Sequence, residues 1–137
     1  MRKIESYMVD RIRQGLTVPM PKGKEWKQSN TLVSVYDDPK GEAGQMVSVD
    51  LHGNRIANIT REFLILKIGG YAWFSRTTFS RFNSIINSFC DGYTQGVFTK
   101  KHLPYLSISK NKTIELETNR SYSLPITNLD GQFAWMR

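Results

Sequence analysis

Between Thr31 and Lys67 the sequence breaks into four short β-rich runs joined by brief, turn-rich connections, and nothing else in the chain constrains the fold as tightly. The runs are Thr31-Leu-Val-Ser-Val-Tyr36, Gln45-Met-Val-Ser-Val-Asp-Leu51, Arg55-Ile-Ala-Asn-Ile59 and Phe63-Leu-Ile-Leu-Lys67. In the second, Met46 alternates against Val47, Val49 and Leu51, the period of a half-buried strand. Asp37-Asp-Pro-Lys-Gly-Glu-Ala-Gly44 is loop chemistry, and His52-Gly53-Asn54 supplies a tight turn because Gly and Asn tolerate positive φ. Gly69-Gly70 closes the set. Four consecutive strands with short connections predict an antiparallel meander over 31–67.

A helix stands on either side of this sheet in the sequence. Residues 1–15 read as an amphipathic helix with Ile4, Met8 and Ile12 four apart, Tyr7 beside them and Gly15 as its stop. The second helix is expected over 77–90, with Thr77 or Thr78 as N-cap. There Phe79, Phe82, Ile85, Ile86 and Phe89 form a core-facing stripe. Its other face, Thr77, Ser80, Arg81, Ser84, Asn87 and Ser88, lacks the Glu and Lys of an ordinary solvated helix and holds poor helix formers with short hydrogen-bonding side chains. No carboxylate occurs between Arg76 and Asp91. Such a face suits a polyanion better than bulk water.

Residues 16–30 contain Pro19, Pro21 and Gly23 and are expected to be irregular, with Lys22, Lys24 and Lys27 around Trp26. A tryptophan among lysines can stack on a base, or fold back over the core. Beyond the central helix, 105–118 reads as a hairpin and 119–137 as an irregular tail containing Trp135. The expected architecture is a single α+β domain over 1–137: N-terminal helix, four-stranded meander, central amphipathic helix packed on the sheet, C-terminal hairpin.

Charge narrows the function. The 137 residues carry a formal charge of +7. Residues 1–30 hold seven basic and three acidic side chains, and residues 71–112 hold six and one. Residues 31–60 hold two and four. The excess therefore gathers at the two helices and the loops beside them, which points to an acidic partner. Cys90 is the only cysteine, so no intrachain disulfide and no cysteine zinc cluster can form, and a buried free thiol is expected. The first residues lack the apolar core of a signal peptide, and no run is long and apolar enough to span a bilayer. An intracellular protein in the cytoplasm, with no membrane partner, is the expectation.

Enzyme signatures are sparse. His52 and His102 stand apart, Asp37-Asp38 precedes Pro39 in a loop, and no Gly-rich phosphate motif occurs. No catalytic residue, metal ligand or cofactor is assigned. Basic and aromatic residues do interleave: Tyr71, Trp73 and Phe74 precede Arg76 and Arg81, while Phe98, Lys100, Lys101, His102 and Tyr105 follow the helix.

Several stretches together resemble a family of short proteins encoded by tailed bacteriophages. They are Lys3-Ile-Glu-Ser-Tyr-Met8, Ser29-Asn-Thr-Leu-Val33, Leu51-His-Gly-Asn-Arg-Ile-Ala57, Gly70-Tyr-Ala-Trp-Phe74 and Thr77-Thr-Phe-Ser-Arg-Phe-Asn83. The resemblance covers roughly residues 3–105, with a longer loop at Asp37 to Gly44. It implies a phage origin, hence the host cytoplasm, and a small helix-sheet-helix domain. No activity or site residue transfers with it.

The leading expectation is a non-enzymatic nucleic-acid-binding protein acting in replication or gene regulation, with DNA favoured over RNA. Arg76, Thr77, Thr78, Ser80, Arg81, Ser84 and Asn87 would make the contacts, and Lys100, Lys101, Lys22, Lys24, Trp26 and Lys27 would widen the field. The alternative is a protein-interaction module that binds a host protein through Trp26, Trp73 and Trp135. A metal-dependent nuclease using Asp50 and Glu62 is the third reading. A homodimer is compatible with each.

Overall fold

The computed structural model describes residues 2–17, 24–37 and 45–130. Helix α1 spans Lys3–Thr17 and α2 spans Arg76–Phe89, with a single 3₁₀ turn at Tyr71–Phe74 leading into α2. The strands are β1 (Lys24–Gln28), β2 (Thr31–Asp37), β3 (Gln45–Leu51), β4 (Asn54–Ile59), β5 (Phe63–Ile68), β6 (Gly96–Lys100), β7 (Leu103–Ser109), β8 (Lys112–Glu115) and β9 (Arg120–Pro125). They form a six-stranded antiparallel sheet in the order β1-β2-β3-β4-β5-β9 and a three-stranded sheet β6-β7-β8. The expected α+β architecture is present, and the meander from β2 to β5 follows the expected order.

Alternation divides the large sheet into two faces. Val33, Val35, Val47, Val49, Leu51, Ala57, Ile59, Leu64, Leu66 and Leu124 are buried on the inner face, beneath the helices. The outer face carries a polar row in which Tyr36 Oη donates to Ser48 Oγ at 2.5 Å and Ser48 Oγ donates to Asn58 Oδ1 at 2.8 Å. Helix α1 lies across β2 and β3 through Met8, Val9, Ile12 and Leu16, while α2 packs on α1 and β6 through Phe82, Ile85, Ile86 and Phe89. Cys90, the C-cap of α2, is a buried thiol.

Four expectations are corrected. Gly15 does not stop α1; it is where the helix meets the sheet, since a Cβ there would lie 2.7 Å from methyls of both Val35 and Val47. Part of the segment expected to be irregular is β1, a short charged strand at a sheet edge, where ladder hydrogen bonds and one inward residue, Trp26, are enough. Part of the expected irregular tail is β9, which returns to pair with β5 and sets Tyr122 and Leu124 inward. The N-cap of α2 is Ser75 rather than Thr77 or Thr78: its Oγ accepts from the Thr78 N–H at 3.1 Å. The expected hairpin at 105–118 is β7 and β8, and it gains a third strand, β6. Asp38 to Gly44 and Trp135 lie outside the described residues.

Candidate functional site

The polar face of α2 is largely an internal seam. Arg81 and Glu5 are each 2% exposed and form an ion pair, with Arg81 Nη1 donating to Glu5 Oε2 at 2.8 Å. Ser80 Oγ donates to the same oxygen at 2.5 Å. Arg81 Nε donates to Thr31 Oγ1 at 3.2 Å, and Nη2 reaches Asn30 Oδ1 at 3.4 Å. Burial pushes the Glu5 carboxyl up, but hydrogen bonds from Ser80, Arg81, the Arg2 backbone N–H and Ser84 outweigh it and hold the group below its ordinary value. Ser84 is buried and donates to the Ser80 carbonyl at 2.9 Å, and Thr78 is buried beside the cap. An exposed binding face at Thr78, Arg81 and Ser84 is therefore corrected: α1 lies along it, and Glu5 of the same chain supplies the anion.

The other candidates scatter. Thr77, Ser80 and Asn87 are half-buried, and Asn87 packs on Gly92, where a Cβ would lie 2.9 Å from the Asn87 Cα. Lys100 and Lys101 are exposed at the β6–β7 turn, and Arg76 is exposed at the start of α2. Trp26 and Trp73 are half-buried against the core. Lys27 is exposed and lines a separate groove with Asp50 and His52. Lys22 and the Lys24 side chain lie outside the described residues. Asp50 is paired with Arg55 at 2.5 Å, and no cluster of metal-ligating side chains occurs among the described residues.

What the fold does bring together is a groove between the start of α1, the start of α2 and the edge of β6. It is lined by Arg2, Phe74, Ser75, Arg76, Phe79, Ser80, Asn83, Phe98 and Thr99 and measures about 500 Å³, within the range of ligand clefts. No carboxylate lines it, and among the described residues neither the Arg2 nor the Arg76 guanidinium has an ion-pair partner. Phe74 and Phe79 meet edge to face at 6.4 Å, while Phe98 stacks on Tyr105 at 5.7 Å. The buried pair helps build the groove: Glu5 Oε1 accepts from the Arg2 backbone N–H at 3.3 Å, which ties the N-terminus of α1 to α2. Asn83 fixes the opposite wall, accepting from the Val97 N–H at 2.8 Å and donating to the Val97 carbonyl at 2.9 Å.

Of these residues, Arg76 and Ser80 were candidates from sequence, and Phe74 and Phe98 belonged to the basic–aromatic interleaving. Arg2 and Thr99 were missed. Arg2 carries the periodic signal of any exposed helix residue, and Thr99 matters through its position on a strand edge, so only the tertiary arrangement identifies them.

Among the described residues no helix is long and apolar enough to cross a membrane. No curated protein and no solved structure matches the chain. A family model described as Kyanoviridae Gp96 protein matches residues 1–123, from α1 into β9. The groove, the Glu5–Arg81 pair and both sheets fall within that match, and the phage origin implied by the resemblance holds: the chain belongs to the Kyanoviridae Gp96 protein family of tailed phages.

Proposed function

We propose that this phage protein binds nucleic acid without catalysing a reaction on it, DNA in preference to RNA, in phage replication or gene regulation. One observation carries the reading: two guanidiniums without an ion-pair partner among the described residues, Arg2 and Arg76, converge on a groove lined by Phe74, Phe79 and Phe98 and by no carboxylate. Guanidiniums suit phosphate oxygens, and aromatic rings suit base faces. Lys100 and Lys101 continue the positive charge along the strand that forms one wall. Thr77, half-buried beside Arg76, stands at the same end of the helix. The net charge of +7 favours the encounter from a distance.

Fluorescence anisotropy with single-stranded DNA, duplex DNA and RNA across a salt series tests this. If Arg2, Arg76, Lys100 and Lys101 each meet a phosphate, the single-strand slope of log K against log salt is roughly −3, and Arg76→Ala makes it shallower by about 0.7. Arg76→Ala leaves the fold intact because its side chain is exposed. Absence of salt-dependent binding to any of the three ligands at low salt refutes the reading.

A further inference from the structure

Among the described residues, the edge of β6 beside the groove has one unmet donor–acceptor pair, and a neighbouring residue shows what fits it. A two-residue turn, Lys101-His102, joins β6 to β7, so the pair that closes it, Lys100 and Leu103, exchanges ladder hydrogen bonds. Pairing then alternates. Phe98 bonds to Tyr105, whereas Thr99 and Val97 turn their N–H and C=O away from β7. Pro104, which has no N–H, stands opposite Thr99, as a non-bonded site requires. At Val97 the outward pair is filled by the Asn83 carboxamide, at 2.8 and 2.9 Å. At Thr99 the equivalent pair meets no group among the described residues and borders the groove. Phe98 and Thr99 point to opposite faces of the strand yet both line the groove, which therefore runs along this edge.

We propose that the groove holds an unpaired nucleobase by its Watson–Crick edge at the Thr99 backbone, so that the ligand is single-stranded nucleic acid. This rests on the nucleic-acid reading above. A carboxamide fits Val97 because it sets a donor next to an acceptor. Every base repeats that arrangement on its pairing edge: N3–H beside O4 in thymine, N1–H beside O6 in guanine, N6–H beside N1 in adenine, N4–H beside N3 in cytosine. The Thr99 N–H donates to the base acceptor and the Thr99 C=O accepts from the base donor. Phe98, exposed beside the position, is the surface for the base face, with the buried Phe79 ring at the groove wall, and Arg2 and Arg76 take the adjoining phosphates. In a duplex these edges are already used, so a paired strand cannot enter this way. An added polypeptide strand fits less well, because strand addition draws on alternate residues along an edge and Asn83 already occupies Val97, leaving Thr99 alone.

The test compares a labelled oligothymidine, the same strand built from N3-methylthymidine, the strand annealed to its complement, and polyglutamate. Binding is measured at low salt to the wild type, Thr99→Pro and Thr99→Val. N3-methylation removes the base donor and leaves every phosphate, so the plain strand is expected to bind about tenfold tighter than the methylated one, and tighter than the duplex. Thr99→Pro removes an N–H that faces away from β7 and so takes the partner of the base acceptor, leaving the C=O; it should weaken binding of the plain strand and narrow the difference, whereas Thr99→Val loses the hydroxyl but keeps the backbone pair and should preserve it. Equal affinity for plain and methylated strands, both weakened by Arg76→Ala, overturns base-edge recognition and leaves phosphate binding standing. Polyglutamate binding as tightly as oligothymidine marks a general anion site and overturns it too. Failure of every nucleic acid to bind removes both readings.

Discussion

Replacing Glu5 by Gln tests the central claim about packing, that the polar face of α2 is held by an internal ion pair. The substitution keeps the shape but turns one acceptor oxygen into an NH2 donor, and it leaves the Arg81 guanidinium charged, 2% exposed and without a counter-ion. Breaking one side of a buried pair costs about 3–5 kcal/mol, since the remaining charge has lost its water and gained nothing in exchange. A chain of this length has roughly 7–20 kcal/mol of stability in all, so the loss is large but leaves the protein folded. Urea denaturation reads it directly: with a slope of roughly 1.5–2 kcal/mol per molar, the midpoint falls by about 2 M at unchanged slope. Arg81→Met should cost a similar amount, because Glu5 keeps Ser80 and the Arg2 N–H but loses its cation. The double variant should cost less than the sum by at least about 1 kcal/mol.

The same pair fixes the pH dependence. The Glu5 carboxyl titrates below its ordinary value in the folded protein. Its contribution is thus full above the unfolded pKa of about 4.3 and is lost as pH falls through the lower folded value. The stability gap between wild type and Glu5→Gln should therefore be widest near neutrality and close under acid. A gap below about 1 kcal/mol at neutral pH, or strict additivity in the double variant, refutes the reasoning.

Asn83→Ala should cost about 1–3 kcal/mol by leaving the Val97 N–H and C=O unmet in a buried residue; hydrogen exchange should show the Val97 amide losing protection while Phe98, bonded to β7, keeps it. Gly15→Ala adds a good helix former worth about 1 kcal/mol, yet drives a Cβ to 2.7 Å from methyls of Val35 and Val47, stiff side chains in the core. Overpacking should win, with a thermal midpoint below wild type; an equal or higher midpoint refutes this. His102 sits at φ 67 in the β6–β7 turn, so His102→Gly should raise stability by about 0.5–1 kcal/mol, the relief of left-handed strain less the added chain entropy, as read by thermal melting.

The strands from β2 to β5 were legible because each carries its own alternation and its pairing partner lies next in sequence. β1 and β9 were not. Lys24-Glu-Trp-Lys-Gln28 has one apolar residue and reads as an exposed segment, and only the neighbouring β2 makes it a strand. Arg120-Ser-Tyr-Ser-Leu-Pro125 does alternate, with Tyr122 and Leu124 inward, but its partner is β5, far back in the chain, and Pro125 argues locally against a strand until its edge position is known. Gly15 shows the same limit in a helix: a residue that stops helices by propensity was retained for close approach to a sheet, which no local pattern records.

The α2 polar face is the sharper case. Its missing carboxylates do indicate an anion elsewhere, but the sequence does not say whose, and Glu5 supplies it across a separation of 76 residues. Arg76 and Arg81, five positions apart on one helix, thus take opposite roles: one guanidinium is exposed at the groove, the other is sealed against α1. Removing Arg76 should change stability by no more than about 0.5 kcal/mol, as for other exposed side chains away from packing. Removing Arg81 strands a buried carboxylate and loosens the anchor that holds Arg2 beside the groove. A variant lacking both would lose binding whether the groove or the fold had failed. Arg76→Ala alone, with stability measured on the same sample, separates the two, because its effect on binding arises from the lost surface charge.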